Sequence, residues 1–154
     1  MLNFTSLIVN LLISLGTGVL SGIITSKDTA RVFDEIVKAP LTPPSIVFPI
    51  VWTILFFLMG VSAYLVYESD CKVKRILLGL YAFQLLFNFL WSIIFFKYEQ
   101  FDIAFLWLII LWIAVIIMTL FFNRCNKTAS YLQIPYILWL TFAAYLNFAI
   151  CVLN

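Results

Sequence analysis

"TPPSIVFPIVWTILFFLMG", residues 42–60, begins with a pair of prolines and continues without a single charged side chain. Pro49 follows a few residues later, and a proline inside a soluble helix removes a backbone donor and clashes with the preceding turn. A long apolar run of this kind is typical of a segment that crosses a bilayer, where about 20 residues span the hydrocarbon. The stretch therefore predicts a membrane-spanning helix that starts at prolines.

The rest of the chain has the same character. Of its 154 residues 65% are apolar and 10% are charged, whereas soluble domains are about 45–50% apolar and about 25% charged. The charged side chains cluster in four segments, which leave five charge-free runs at residues 4–26, 44–67, 76–96, 103–123 and 128–154. Each run has about the 20 residues that a membrane-spanning helix needs, and isolated strands would leave unpaired backbone groups in lipid.

These runs predict an all-α membrane protein, a bundle of five transmembrane helices that forms a single domain over residues 1–154. The helices are expected at about residues 4–26, 44–67, 74–96, 101–123 and 128–153, with the loop 27–43 as a lid over a pocket. The first run lacks a basic segment before it and exceeds the apolar length of a usual signal peptide. It is therefore expected to be a retained helix of a multi-pass protein.

Lysine and arginine counts give only a weak preference for orientation. The face with the connectors 68–75 and 124–127 carries five of them and the opposite face carries four, which slightly favours an N-terminal end inside the cell. Cys71 and Cys125 fall in the two connectors of the first face, where a bridge is geometrically feasible. Because a disulfide does not persist in a reducing cytoplasm, we expect Cys71, Cys125 and Cys151 to be unpaired thiols.

The chain lacks the side chains of most membrane chemistry. It has no histidine, which is the usual axial ligand of haem iron and the commonest metal ligand. The five runs contain no Asp, Glu, Lys or Arg, and proton relays and ion-coupled carriers normally need such groups. No metal site and no acid–base catalytic site is therefore expected in the membrane, and the net charge of +2 argues against a nucleic-acid partner.

Two tryptophans lie deep in their predicted helices. Trp91 and Trp107 suit the aromatic belt at the membrane interface. Trp139, however, lies about 15 Å inside its run at a rise of about 1.5 Å per residue, and Trp52 also falls below the interface. For Trp112, packing against lipid stays an open alternative to lining a pocket. We expect Trp52 and Trp139 to line a pocket.

Helical spacing gathers aromatic, amide and small side chains on three faces. These faces hold Trp52, Phe56, Met59 and Ala63; Gln84, Asn88, Trp91 and Phe95; and Pro135, Trp139, Ala143 and Asn147. Asn88 and Asn147 are costly against lipid unless they are paired, so they are expected to point inward. They would hydrogen-bond between helices, contact a ligand, or do both. An apolar pocket with a few polar groups suits a flat hydrophobic ligand.

The prolines have two interpretations. Pro43 and Pro44 suit the start of a helix, where the missing donor is not needed. Pro49 and Pro135 are expected to bend their helices and so leave room between them. The alternative is that each merely begins a helix.

The connector "KDTARVFDEIVK", residues 27–38, predicts a short surface helix that caps the pocket. It would offer a cation to an acidic ligand, from Lys27, Arg31 or Lys38. The alternative is an ordinary interfacial linker. The first run also carries a ridge of small residues at helical spacing, formed by Ser14, Gly18 and Gly22. Such a ridge permits close helix packing, either between two copies of the chain or within one.

Three stretches together resemble the TspO/MBR family, the tryptophan-rich sensory proteins, translocator proteins and peripheral benzodiazepine receptors. They are "PLTPPSIVFPIVWTILFFLMG" at 40–60, "QLLFNFLWSIIFF" at 84–96 and "PYILWLTFAAYLNFAICVLN" at 135–154. The residues that match the family pattern are Pro43, Pro44, Phe48, Val51, Trp52, Met59, Gly60, Asn88, Trp91, Ser92, Pro135, Tyr136, Trp139, Phe142, Ala143, Leu146 and Asn147.

The resemblance implies a five-helix bundle, usually a homodimer, with a ligand cavity under the loop that joins the first two helices. It implies binding of protoporphyrin IX and related tetrapyrroles, or of benzodiazepine-site drugs, and for some members light-dependent porphyrin degradation. In that activity Trp52 and Trp139 would be the catalytic residues. This chain departs from the pattern at Ile46, where many members have Trp, and at Phe56, where many have Tyr. It also has no basic residue after Lys127, which argues against a C-terminal cholesterol motif.

The predicted ligand-binding residues come from all three faces, the lid and the family motifs. They are Phe33, Pro43, Phe48, Trp52, Phe56, Gln84, Asn88, Trp91, Trp139, Phe142, Ala143 and Asn147. No cofactor is required, and protoporphyrin IX is expected as ligand or substrate in a bacterial cell membrane. The alternatives are a non-catalytic tetrapyrrole or lipophile transporter, a stress sensor, or a structural subunit that binds no pigment.

Overall fold

The computed structural model describes residues 3–154, and it contains helices but no strand within that range. The helices are α1 Phe4–Glu35, α2 Val47–Tyr67, α3 Lys74–Ser92 with a π-helical continuation Ile93–Lys97, α4 Phe101–Cys125, the short α5 Lys127–Tyr131, and α6 Ile134–Leu153. Counting α5 and α6 as one span, five are long and apolar enough to cross a membrane. The predicted all-α bundle of five transmembrane helices is confirmed.

Helix α1 extends well beyond its predicted end near residue 26. The charged segment 27–35 continues α1 and does not form a separate surface helix, because no glycine or proline interrupts it before Pro40. The side chain of Val32 is 1% exposed and belongs to a cluster with Phe95 and Ala104. The lid therefore has a helical first part, which is anchored in the bundle, and a non-helical second part over residues 36–46.

The prolines begin helices, and the prediction that they bend the second and fifth spans is wrong. Pro49 lies in the first turn of α2, and Pro135 lies at the start of α6. At these positions the backbone amide has no partner within the helix, so proline removes no hydrogen bond there. Pro43 and Pro44 precede α2 in the connector. Space inside the bundle must therefore have another source.

Some of the small residues of α1 pack closely against α2, and another one turn further along α1 leaves empty space. The Ser14 hydroxyl donates to the Phe56 carbonyl oxygen at 2.6 Å, and a Cβ placed on Gly18 would lie 2.5 Å from the Phe56 ring. A Cβ on Gly22 would meet no atom within 4 Å. The ridge on α1 thus packs within one chain at Ser14 and Gly18, and it opens into a cavity at Gly22.

A buried polar network connects α2, α3 and α6. The Tyr136 hydroxyl donates to Gln84 Oε1 at 3.0 Å and accepts from Asn88 Nδ2 at 2.9 Å. Nearby, Gln133 Nε2 donates to Ser62 Oγ at 3.0 Å, and that hydroxyl donates in turn to a backbone carbonyl. Buried polar groups in an apolar bundle need such partners, so the network fixes how the helices pack.

Cys71 and Cys125 form a disulfide, with their Cα atoms 5.2 Å apart. The expectation of three unpaired thiols is therefore wrong, and among the cysteines of residues 3–154 only Cys151 is free. The bridge forms because the α2–α3 connector and the end of α4 meet on the same face of the bundle. A lasting disulfide requires an oxidising compartment. This favours an N-terminal end outside the cytoplasm, against the weak preference from the lysine and arginine counts.

Candidate functional site

A cavity of about 680 Å³ lies between α1, α2, α3 and α6, beneath the connector 36–46. This volume is in the usual range for sites that hold drug-sized ligands. One group of lining residues is aromatic: Phe33, Phe48, Trp52, Phe56, Trp91, Phe95, Phe96 and Trp139. The lining residues of α1 are mostly small or carry hydroxyls: Gly18, Ser21, Gly22, Thr25, Ser26, Thr29 and Ala30. The cavity therefore has an aromatic wall and a small-residue wall.

The two deep indoles meet at the centre of the aromatic wall. The ring centroids of Trp52 and Trp139 are 6.5 Å apart, with the planes at 88°. Phe48 lies 5.8 Å from Trp139, and Phe56 lies 5.7 Å from Trp52. Spacing by four residues places Phe48, Trp52 and Phe56 on one face of α2. The prediction that Trp52 and Trp139 face a pocket agrees with this arrangement.

The indole nitrogens of Trp52 and Trp139 are not engaged in hydrogen bonds within residues 3–154. That of Trp139 is buried without a partner. The other three tryptophans donate to an oxygen atom: Trp91 to Asn147 at 3.3 Å, Trp107 to a backbone carbonyl and Trp112 to a threonine hydroxyl. Trp91 also lines the cavity. Its ring is therefore part of the site and not only of the aromatic belt at the membrane interface.

Asn88 and Asn147 form hydrogen bonds between helices, which is one of the two roles that the sequence left open, and contact with a ligand stays a prediction. Both line the cavity. Asn88 donates to the Tyr136 hydroxyl, and Asn147 accepts from Trp91 and donates to the Phe101 carbonyl oxygen at 3.0 Å. Their hydrogen bonds hold neighbouring helices together, and the same side chains place polar groups in the wall of a mostly apolar cavity.

Three predicted ligand-binding residues do not line the cavity. Gln84 is 0% exposed, because its amide is engaged by Tyr136 and by the sulfur of Met59. Phe142 packs behind the wall, with its ring centroid 5.6 Å from that of Trp139. Pro43 lies in the connector but outside the lining. The remaining predicted residues, including Phe33 and Ala143, do line it.

The small-residue wall of α1 is the part of the site that sequence reasoning missed. Ser21, Thr25 and Thr29 follow one another at intervals of four and so share a face of the helix. Thr25 donates its hydroxyl to the backbone of Ser21. The spacing was visible in the sequence, but serine and threonine in a transmembrane helix commonly bond to their own backbone. Only the position of the opposite wall shows that they face a cavity.

Three contacts hold the lid. Arg31 forms an ion pair with Glu99 at 2.7 Å, and Glu99 has a left-handed backbone with φ of 52°. Asn154 exchanges two hydrogen bonds with the backbone of Val37. The Tyr145 hydroxyl donates to the backbone carbonyl of residue 40 at 3.0 Å. The helical part of the lid is thereby attached to the α3–α4 connector, and the connector 36–46 is attached to α6.

The predicted cations of the lid are divided between two roles. Arg31 is turned towards Glu99, and it also lies 3.5 Å from Asp28 and 4.0 Å from Glu35. Lys38 lines the cavity, whereas Lys27 does not. Only one of the three cations is therefore placed to meet a ligand.

The sequence of residues 9–153 matches the family model of the TspO/MBR family. The chain belongs to the TspO/MBR family. It is 37% identical over 142 residues to the tryptophan-rich protein TspO of Chlorobaculum tepidum, with 91% of this chain and 90% of that protein covered. It is 34% identical to the tryptophan-rich protein TspO of Archaeoglobus fulgidus, with 99% of each chain covered.

A mammalian relative is also similar over most of its length. Translocator protein 2 of Canis lupus familiaris is 32% identical over 130 residues, which cover 82% of this chain and 76% of that protein. Membership in the TspO/MBR family and the five apolar helices together identify a multi-pass integral membrane protein. The predicted family and membrane location are thus confirmed.

Proposed function

We propose that this protein is a membrane receptor for a planar tetrapyrrole, with protoporphyrin IX as the test ligand, held in the cavity between α1, α2, α3 and α6. The observation that carries the proposal is the pairing of an aromatic wall around Trp52 and Trp139 with a wall of small residues on α1. A benzodiazepine-site drug, which the family resemblance suggests, would occupy the same space.

The chemistry of the two walls suits a flat ring. Aromatic contacts contribute about 0.5–1.5 kcal/mol each beyond the burial of apolar area, and several rings can meet one macrocycle. The opposite wall has no side chain at Gly22, where an added Cβ would meet no atom within 4 Å, so a planar ligand can lie close to the backbone of α1 at that level. The chain has no histidine, the usual axial ligand of haem iron. An iron-free porphyrin therefore fits the residues better than haem.

Binding is tested by titrating the purified protein in detergent with protoporphyrin IX and recording the quenching of tryptophan fluorescence. We expect saturable binding by the parent and about tenfold weaker binding by Trp139→Leu, which removes one ring of the wall. Trp112→Phe changes a tryptophan outside the cavity and should bind like the parent. Absence of saturable binding by the parent would overturn the proposal, and so would equal weakening in the two variants.

Light-dependent breakdown of the bound porphyrin is the second candidate function. It is favoured by the two indoles at the cavity, whose nitrogens have no hydrogen-bond partner within the described residues. A photoexcited porphyrin can accept one electron from an indole and pass it on to dioxygen, which is reduced to superoxide while the indole is left oxidised by one electron. It can also transfer its energy to dioxygen, and the singlet oxygen formed then oxidises the porphyrin ring. This chemistry depends on proximity and light rather than on acid–base groups.

The test of turnover is illumination of the protein–protoporphyrin complex in air, with absorbance recorded over time. We expect Trp52→Phe and Trp139→Phe to convert porphyrin more slowly than the parent. Equal rates in all three would contradict a role for these tryptophans. Binding without any product would leave a receptor, sensor or transporter without turnover.

We also propose that the protein forms a homodimer, as the family resemblance implies. The ridge at Ser14 and Gly18 is occupied by Phe56 of the same chain, so the dimer contact must use another surface. Native mass spectrometry of the protein in detergent tests this point: a single monomer peak at all concentrations would contradict it.

A further inference from the structure

The mouth of the cavity carries two oppositely charged side chains, Asp34 and Lys38. Both line the cavity and both are exposed. In the part of the chain from 3 to 154, neither takes part in a salt bridge or a side-chain hydrogen bond, since every ion pair there involves Arg31. A carboxylate and an ammonium group are therefore available to whatever lies at the mouth.

The rest of the lid explains why Asp34 has no partner among the described residues. Arg31 has Asp28, Glu35 and Glu99 around it, so its guanidinium is satisfied without Asp34. Asp34 instead belongs to the face of α1 that carries the lining residues Ala30 and Phe33. The helix thus separates an ion-paired outer side from a cavity side with an unpaired carboxylate.

We infer that Asp34 and Lys38 select a planar ligand with one acidic group in preference to a dicarboxylate. This inference rests on the proposed function and names the charge class of its ligand. One carboxylate at the mouth pairs with the Lys38 ammonium group. A second carboxylate on the same edge of a ligand meets the like charge of Asp34 and is repelled. A ligand with no acidic group leaves Lys38 without a partner.

The size of the effect follows from the exposure of both groups. Charges several ångströms apart near a protein surface interact through a high effective dielectric, so each contact changes the dissociation constant about three- to tenfold. The preference should also shrink at high salt, because ions screen exposed charges. The modest size of the effect and its decrease at high salt distinguish selection by charge from a change in the shape of the pocket.

The experiment compares three ligands with the same ring: protoporphyrin IX, its monomethyl ester and its dimethyl ester. We expect the parent protein to bind the monoester most tightly. Asp34→Asn should improve diacid binding about three- to tenfold relative to the monoester, and Lys38→Gln should shift the preference towards the diester. Asp70→Asn makes the same substitution in the connector between α2 and α3, on the opposite face of the bundle, and should leave all ratios unchanged.

The outcomes separate this inference from the proposed function. If the parent binds none of the three ligands saturably, the proposed function fails and the inference fails with it. If the parent binds them but Asp34→Asn leaves the diacid-to-monoester ratio unchanged, the inference alone is overturned. A preference of the parent for the monoester that does not weaken when salt is raised also overturns it, because screening must reduce an interaction between exposed charges.

Discussion

The side chain of Asn154 forms a closed pair of hydrogen bonds with the backbone of Val37. Its Oδ1 accepts from the Val37 amide at 2.9 Å, and its Nδ2 donates to the Val37 carbonyl oxygen at 3.2 Å. Val37 lies at the beginning of the connector that covers the cavity. The end of α6 therefore holds the lid through one amide side chain.

Asn154→Ala should release this part of the lid and speed up ligand dissociation. Each hydrogen bond contributes about 0.5–1.5 kcal/mol net, and less where water competes, so we expect about a fivefold increase in the dissociation rate of protoporphyrin. Stopped-flow displacement measures that rate. Asn123→Ala removes an exposed amide from α4 that forms no such pair with the rest of residues 3–154, and this variant serves as the control. Equal rates in both variants would mean that the Asn154 contact does not hold the lid.

Gly18→Ala should disturb the cavity from the side of α1. Its new Cβ would lie 2.5 Å from Phe56 Cδ2 and Cε2, so the ring must move, and overpacking of this kind typically costs about 1–3 kcal/mol. We expect a lower melting temperature and weaker binding of protoporphyrin. Gly16→Ala makes the same change on the same helix where nothing lies within 4 Å. A loss of equal size in Gly16→Ala would attribute the effect to the helix rather than to Phe56.

The number and approximate positions of the spanning helices could be predicted, because charge and apolar length largely determine which segments enter lipid. The aromatic wall was also predictable, since Phe48, Trp52 and Phe56 share one face of α2 by spacing. Gln84 shows the limit of that reasoning. It lies on the face of Asn88, yet Tyr136 and Met59 occupy its amide, and no spacing within α3 reveals partners on other helices.

The sequence pattern underestimates the length of α1, because it places the end of the first helix near residue 26 and predicts a separate surface helix over the charged segment 27–38. Charge marks where the membrane ends, but a helix stops only where backbone groups lose their partners or a breaker intervenes. The ion pair of Arg31 with Glu99 and the burial of Val32 stabilise this extension. These contacts involve residues far apart in the chain, and the same is true of the disulfide between Cys71 and Cys125.

Loss of the Cys71–Cys125 disulfide should lower the stability of the folded protein. A bridge between residues separated by 54 positions is expected to contribute about 2–4 kcal/mol by restricting the unfolded chain. Cys71→Ser should therefore unfold at a lower temperature than the parent, whereas Cys151→Ser should not, because Cys151 is free. The same melting temperature for Cys71→Ser and the parent would indicate that the bridge contributes nothing.

The same disulfide makes the orientation testable in cells. Alkylation of free thiols during extraction, followed by a gel mobility assay, counts how many cysteines were unpaired. We expect one free thiol, because a bridge on this face requires an oxidising compartment. Three free thiols would place the connectors that carry Cys71 and Cys125 in the cytoplasm.

Tyr136→Phe should destabilise the bundle without changing its shape. The Tyr136 side chain is fully buried, and removal of its hydroxyl leaves Gln84 Oε1 without its donor and Asn88 Nδ2 without its acceptor. A buried polar group that loses its partner costs about 1–3 kcal/mol, and this should appear as a lower free energy of unfolding in detergent micelles. Tyr131→Phe removes a hydroxyl from a side chain that is 64% exposed and should have little effect. Equal stability of the two variants would show that Gln84 and Asn88 find other partners, and that the network does not determine how α3 and α6 pack.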